Sequence, residues 1–176
     1  MTLDTAAIIA ETRAWVDRAV IGLNLCPFAK AVQVKGQIRY VVCPASEPAE
    51  LLNTLCDELH RLAESDPQDV DTTLLIHPAA LTDFLDFNDF LAVADAAVEE
   101  HGYAGILQVA SFHPQFQFAD THLNDVSNAT NRAPFPTLHL LRESSIDRAV
   151  AAFPEAETIF EANIETLENL GAEGWA

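Results

Sequence analysis

Basic side chains are scarce in this 176-residue chain: nine lysines and arginines stand against 27 aspartates and glutamates, and only two of the nine are lysines. The resulting formal charge of -18 repels phosphate backbones over most of the surface, which argues against a nucleic-acid partner. Long hydrophobic runs are missing as well. No stretch of 18 apolar residues occurs, and the opening MTLDTAAIIAETRAW has neither the basic start nor the uninterrupted apolar centre of a signal peptide. The expectation is a cytoplasmic protein with no membrane partner. Cysteine is equally sparse: Cys26, Cys43 and Cys56 form no C-x-x-C pair, and an odd count suits free thiols better than a disulfide framework. Linkers and low-complexity tracts are absent, and 49% apolar content over this length fits one core, hence a single domain over residues 1–176.

The apolar residues that are present fall into two periods. Asp4 or Thr5 caps a first helix with Ile8, Ile9, Trp15, Val16, Ala19 and Val20 on one face, stopped by Gly22 and then Cys26-Pro27. Ile38–Cys43 is β-prone. Ser46 and Pro48 open a second helix with Leu51, Leu52, Leu55, Leu59 and Leu62 inside, and Ser65–Asp71 is a turn. Thr72–His77 is apolar on both faces, as a central strand of a covered sheet must be. Phe84, Phe87, Leu91, Ala94 and Val98 keep helical spacing up to Gly102, and Gly105–Phe112 is a third strand. Thr137–Arg142 is a weaker fourth, followed by a short helix from Ser145 and an acidic one over 154–170. Strands alternating with helices predict an α/β domain: a mostly parallel sheet of about four strands flanked by helices, with a ferredoxin-like α+β arrangement as the alternative.

Three strand candidates end alike, in VVCP, LIHP and SFHP. Proline ends strands because it lacks a donor and holds its predecessor extended, which accounts for each instance singly. Together they place Cys43, His77 and His113 at one sheet edge if the strands are parallel neighbours, and α/β proteins bind ligands at such an edge.

Between the last two strand candidates, His113–Pro136 has neither helical nor alternating pattern over 24 residues. Loops of that length are functional or disordered, and disorder would leave Phe116, Phe118 and Phe135 in water. An ordered functional loop is therefore expected, anchored by those rings and Phe112. Its DVSNATNR segment, Asp125–Arg132, is rich in side chains that build turns or hold ligands. Arg132 suits bidentate capture of a carboxylate or phosphate, with an ion pair to Asp125 or Glu143 as the competing role.

At GLNLCPFAK, SFHPQFQF and LNDVSNATNRAPFPTLHLLRE the chain resembles the bacterial and plant family known as domain of unknown function 1415. The likeness extends to LLIHP, DFNDFL and SIDRAV, nearly the whole length. It implies no activity, cofactor or catalytic residue. Residues available for chemistry within these motifs are Cys26, His77, His113, Asp125, Asn128, Asn131, Arg132 and His139.

These residues support three expectations. In the first, a small-molecule enzyme uses His113 as acid/base with Asp125 or Asn128 orienting it, while Asn131 and Arg132 hold an anionic group of a small metabolite. Cys26 is its nucleophile if catalysis is covalent, with His113 or His139 as base; a buried inert thiol is the alternative. In the second, the same loop belongs to a non-catalytic module binding a metabolite or partner. In the third, His77, His113, Asp125 and His139 bind zinc or iron, although their spacing matches no ligand signature and His139, between Leu138 and Leu140, also fits a core position.

Overall fold

Asp4 opens the first helix as expected, its carboxylate accepting the Ala7 N–H at 3.0 Å. In the computed structural model, which describes residues 4–21, 29–117 and 131–152, this helix (α1, Thr5–Trp15) runs on into a π-helical segment, Val16–Ile21. Then follow α2 (Ala29–Val34), β1 (Ile38–Val42), α3 (Pro48–Glu64), β2 (Thr72–Ile76), α4 (Phe84–Glu100), β3 (Leu107–Phe112), β4 (Thr137–Arg142) and α5 (Glu143–Ala152). Pro48 occupies the first turn of α3 as read from the sequence, but the cap position is Glu47, not Ser46. Gly102 ends α4 at φ +77°, a conformation that costs glycine nothing. The acidic segment 154–170 lies outside the described residues.

The strands form one sheet in the order β1-β2-β4-β3. Among the described strands only β1 and β2 are parallel neighbours; β4 runs antiparallel to both β2 and β3, which corrects the expectation of a mostly parallel sheet. Phe112 and Thr137 are register partners, so the long connection leaves and re-enters the sheet at the same end. A parallel pairing would require it to cross the full sheet instead. The element order β-α-β-α-β-β also differs from the β-α-β-β-α-β of a ferredoxin-like fold. What stands is a mixed four-stranded sheet with helices.

Side-chain parity divides the sheet cleanly. Leu75, Leu107, Leu138 and Leu140 face a core shared with Leu51, Leu55, Leu59 and Leu62 of α3 and Phe87, Phe90 and Ala94 of α4. The alternate residues, among them Ile38, Leu74, Phe112, His139 and Leu141, face a cavity walled by the end of α1, the π-helical segment and α5. β2 is buried throughout, as its two-sided apolar pattern required. The weakest strand candidate, β4, proves to be central and makes both antiparallel pairings.

Two arginines tie the α3 layer to the sheet. Arg39 of β1 grips Glu58 of α3 through two N–H···O bonds of 3.0 and 3.2 Å. Arg142, buried at the end of β4, donates to the carbonyls of Leu62, Ser65 and Val70 at 2.8–2.9 Å and so closes the carboxyl end of α3.

Candidate functional site

Because β1 and β3 share the direction of β2, the residues that follow all three strands emerge at one end of the sheet and on its α3/α4 face. Cys43 lies beside the end of β2, its N–H bonded to the Ile76 carbonyl. Its thiol is buried in the core and donates to the Thr54 hydroxyl of α3 at 3.6 Å. His77 and His113 turn instead toward α4 and flank the Phe87 ring, at centroid distances of 5.6 and 5.0 Å. β4 stands between their strands, so the two imidazoles meet through Phe87 and not as strand neighbours.

Both rings hold the turn that leads from β2 into α4. Nδ1–H of His77 donates to the Ala80 carbonyl at 2.9 Å, and Nε2–H of His113 donates to the Leu81 carbonyl at 3.1 Å. Nδ1 of His113 accepts the Gln115 N–H at 3.0 Å, so both of its nitrogens are engaged by backbone. Leu81 sits at φ +54°, unusual for a branched side chain, and its carbonyl meets His113 in that conformation. Burial holds both histidines neutral, driving His77 down to about 4 and His113 below the ordinary imidazole value despite its carbonyl partners. Nε2 of His77 is sealed and has no partner among the described residues.

The turn delivers Asp83 to the amino terminus of α4, where its carboxylate accepts the N–H groups of Leu85 and Asp86 at 2.9 and 3.2 Å. Asp83→Ala should therefore lower stability by about 1 kcal/mol in a denaturant titration, with Asp83→Asn close to wild type.

Beside that helix start lies a cleft of about 430 Å³, walled by Asp83, Phe84 and Leu85 on one side and by Pro114, Gln115, Gln117 and Arg132 on the other. Phe116 packs edge-on against Phe84 at 5.3 Å and holds the first part of the long connection to α4, an anchoring role for a loop phenylalanine. Nε–H of Arg132 donates to the Phe116 carbonyl at 2.9 Å, which fixes the guanidinium at the cleft wall. Burial lowers its proton affinity. Asn131 acts on the backbone instead. Its side-chain amide donates to the Ser111 carbonyl at 2.9 Å and its own carbonyl accepts the His113 N–H at 3.1 Å, stitching the return of the connection to the end of β3.

His139 is separated from this assembly by the sheet. It projects from the opposite face, where Nε2 lies 2.8 Å from the Thr72 hydroxyl. The structure thus brings His77, His113, Asn131 and Arg132 to one end and leaves His139 on the far side. Cys26, Asp125 and Asn128 lie outside the described residues. Among the described residues no group of three or more His, Cys, Asp or Glu side chains could hold a metal ion.

The model of the family described as "Protein of unknown function (DUF1415)" matches residues 7–176. The chain belongs to that family. No curated protein and no solved structure matches it. For this DUF1415 chain the site is accordingly read from its own geometry, and that geometry adds residues to which the sequence pattern does not point. Asp83 is the exception, since an acid one residue before an apolar helix is a cap signal. Phe84 also lines the cleft, but its helical spacing marks it only as a core residue. Gln115 and Gln117 flank a phenylalanine in SFHPQFQF and carry no signal beyond polarity.

Proposed function

We propose that this protein binds a small anionic metabolite in the cleft between the start of α4 and the 114–117 segment, with Arg132 as its anion-recognising side chain. The observation that carries this reading is the guanidinium positioned on the wall of a 430 Å³ cleft in a chain of charge -18. A cleft of this size suits a small organic molecule, and a planar guanidinium recognises carboxylate or phosphate by paired N–H donors. Gln115 and Gln117 add amide donors and acceptors, while Phe84, Leu85 and Pro114 offer an apolar wall. Among the described residues no helix is long and apolar enough to cross a membrane.

Binding is favoured over catalysis by the state of His113. A general base needs a lone pair within reach of its substrate, and the Nδ1 lone pair already accepts the Gln115 N–H. His113 is therefore assigned a positioning role: it fixes the Leu81 turn on one side of the cleft and Gln115 on the other. Asp125, Asn128 and Cys26 remain candidates for contact with the bound molecule.

Phenyl phosphate, titrated by calorimetry or ligand-observed NMR, should bind in a 1:1 ratio, and Arg132→Gln should weaken it by tenfold or more with little change in thermal midpoint. Equal affinity in wild type and variant would remove Arg132 from the site.

A further inference from the structure

We infer that a second site lies on the other face of the sheet, in the cavity between the π-helical segment and β4, and that it takes a small apolar molecule carrying one hydrogen-bond donor, of the phenol class, held through Nδ1 of His139. The inference does not rest on the Arg132 cleft.

The cavity measures about 350 Å³ and its lining is dominated by Trp15, Val16, Val20, Leu74, Phe112 and Leu141. An apolar cavity of about 150 Å³ already stays dry and accepts benzene, because water needs two to four polar partners that apolar walls do not supply. The larger, half-open pocket here has walls of the same apolar kind, where water finds few partners and an apolar body gains packing contacts. Asp71, Thr72, Gln108, His139 and Ser145 add the few polar groups of a wall that is otherwise apolar. Thr72 donates its hydroxyl proton to the Leu140 carbonyl at 2.6 Å, so its oxygen receives, and does not give, the hydrogen bond from His139 Nε2 at 2.8 Å. That fixes the tautomer: Nε2 carries the proton, and Nδ1 carries the lone pair.

Nδ1 has no hydrogen-bond partner among the described residues and is not among the sealed polar atoms, while the ring itself lines the cavity. Enclosure keeps the imidazole neutral at physiological pH, so it presents an acceptor and no charge. A ligand that matches this wall has an aromatic or alicyclic body and one O–H or N–H. An anion is disfavoured by this lone pair and by the Asp71 carboxylate, which also lines the cavity. The Trp15 ring, edge-on to Phe112 at 5.2 Å, supplies an aromatic wall for such a body and a reporter of its arrival.

The test compares 4-ethylphenol with 4-ethyltoluene, which replaces the hydroxyl by a methyl group of similar size. In full-length protein carrying Trp175→Phe, so that Trp15 is the sole tryptophan, 4-ethylphenol should saturate the fluorescence change. The preference for the phenol should fall about tenfold in His139→Phe, and Leu141→Phe, which narrows the cavity without adding a second tryptophan, should weaken binding of both. Should His139→Phe fail to fold, the ring nitrogens of wild-type His139 can be followed by ¹⁵N NMR: Nδ1 should shift on saturation with the phenol and remain in place with the hydrocarbon. No saturable binding, an unchanged preference in His139→Phe, or a Nδ1 signal that ignores the phenol each overturns the inference.

Discussion

Arg142→Leu should destabilise the protein by about 3 kcal/mol, lowering the thermal midpoint by roughly 10 °C for a chain of this size. The arginine is buried and reaches three carbonyls, those of Leu62 and Ser65 at the end of α3 and of Val70 in the turn that follows. Leu62 has a second, longer donor in the Ser65 N–H at 3.2 Å, so the loss falls mainly on Ser65 and Val70. Asp66 and Asp71 lie close enough to favour the arginine's charge. Leucine would fill much of the volume but leave those acceptors without their donor, and the unpaired acceptor is the expensive state. All three bonds come from Nη2, so Arg142→Lys keeps a cation with three donors but on a stem too short to place them at the same point, and about half of the loss is expected. Urea denaturation of the three proteins checks the order. A leucine variant within 1 kcal/mol of wild type would mean that the end of α3 finds other donors.

The second large effect is on acid stability. His77 and His139, each held by burial at about 4 against an ordinary value near 6.5, bind protons more weakly folded than unfolded. Unfolding at pH 5 therefore takes up about two protons, and stability falls as the solution is acidified. The contribution of the two neutral rings is complete above about pH 6.5 and is lost as pH falls through about 4, each ring accounting for roughly 3 kcal/mol across that window. Protonation of the many surface carboxylates relieves self-repulsion over a lower range and so opposes the loss only late. Chemical denaturation at pH 7, 6, 5 and 4.5 measures the slope. His139→Phe should remove a large part of it while leaving the dependence carried by His77 and His113, and a flat profile between pH 7 and 4.5 would show that none of these rings resists protonation.

Much of this structure is legible in the sequence where a residue's role is local. The Asp4 cap, the leucine stripe of α3, the Gly102 stop and the two-sided burial of TTLLI each follow from short-range geometry. Strand order is not legible. An apolar run reports burial but not direction, so TLHLLR looks marginal although it occupies the middle of the sheet. The patternless 113–136 stretch is a cue that β3 and β4 form a hairpin, since a parallel return ordinarily carries a helix. The candidate site is legible in part for the same reason. Strand ends bring His77, His113 and Arg132 near one another, whereas removing His139 from them needs the register: only once Ala110 is known to oppose His139 does parity put His113 on one face and His139 on the other. The left-handed Leu81 has no signature at all, because leucine is among the residues least expected there.

The central position of β4 has a consequence for how the chain comes together. On a ribosome β1, α3 and β2 can associate as soon as residue 76 has emerged, and α4 can cover them, but β3 then has no strand beside it. Its only neighbour among the described strands is β4, which is the last of those strands to be made. Two incomplete sheet fragments with open edges must persist until residue 142 is available, and their closure joins positions more than sixty residues apart, such as Thr72 and Leu141. Pairings of that separation are slow, and unpaired edges are where chains meet the wrong partner. The strand that completes the sheet is therefore also the one that times its assembly.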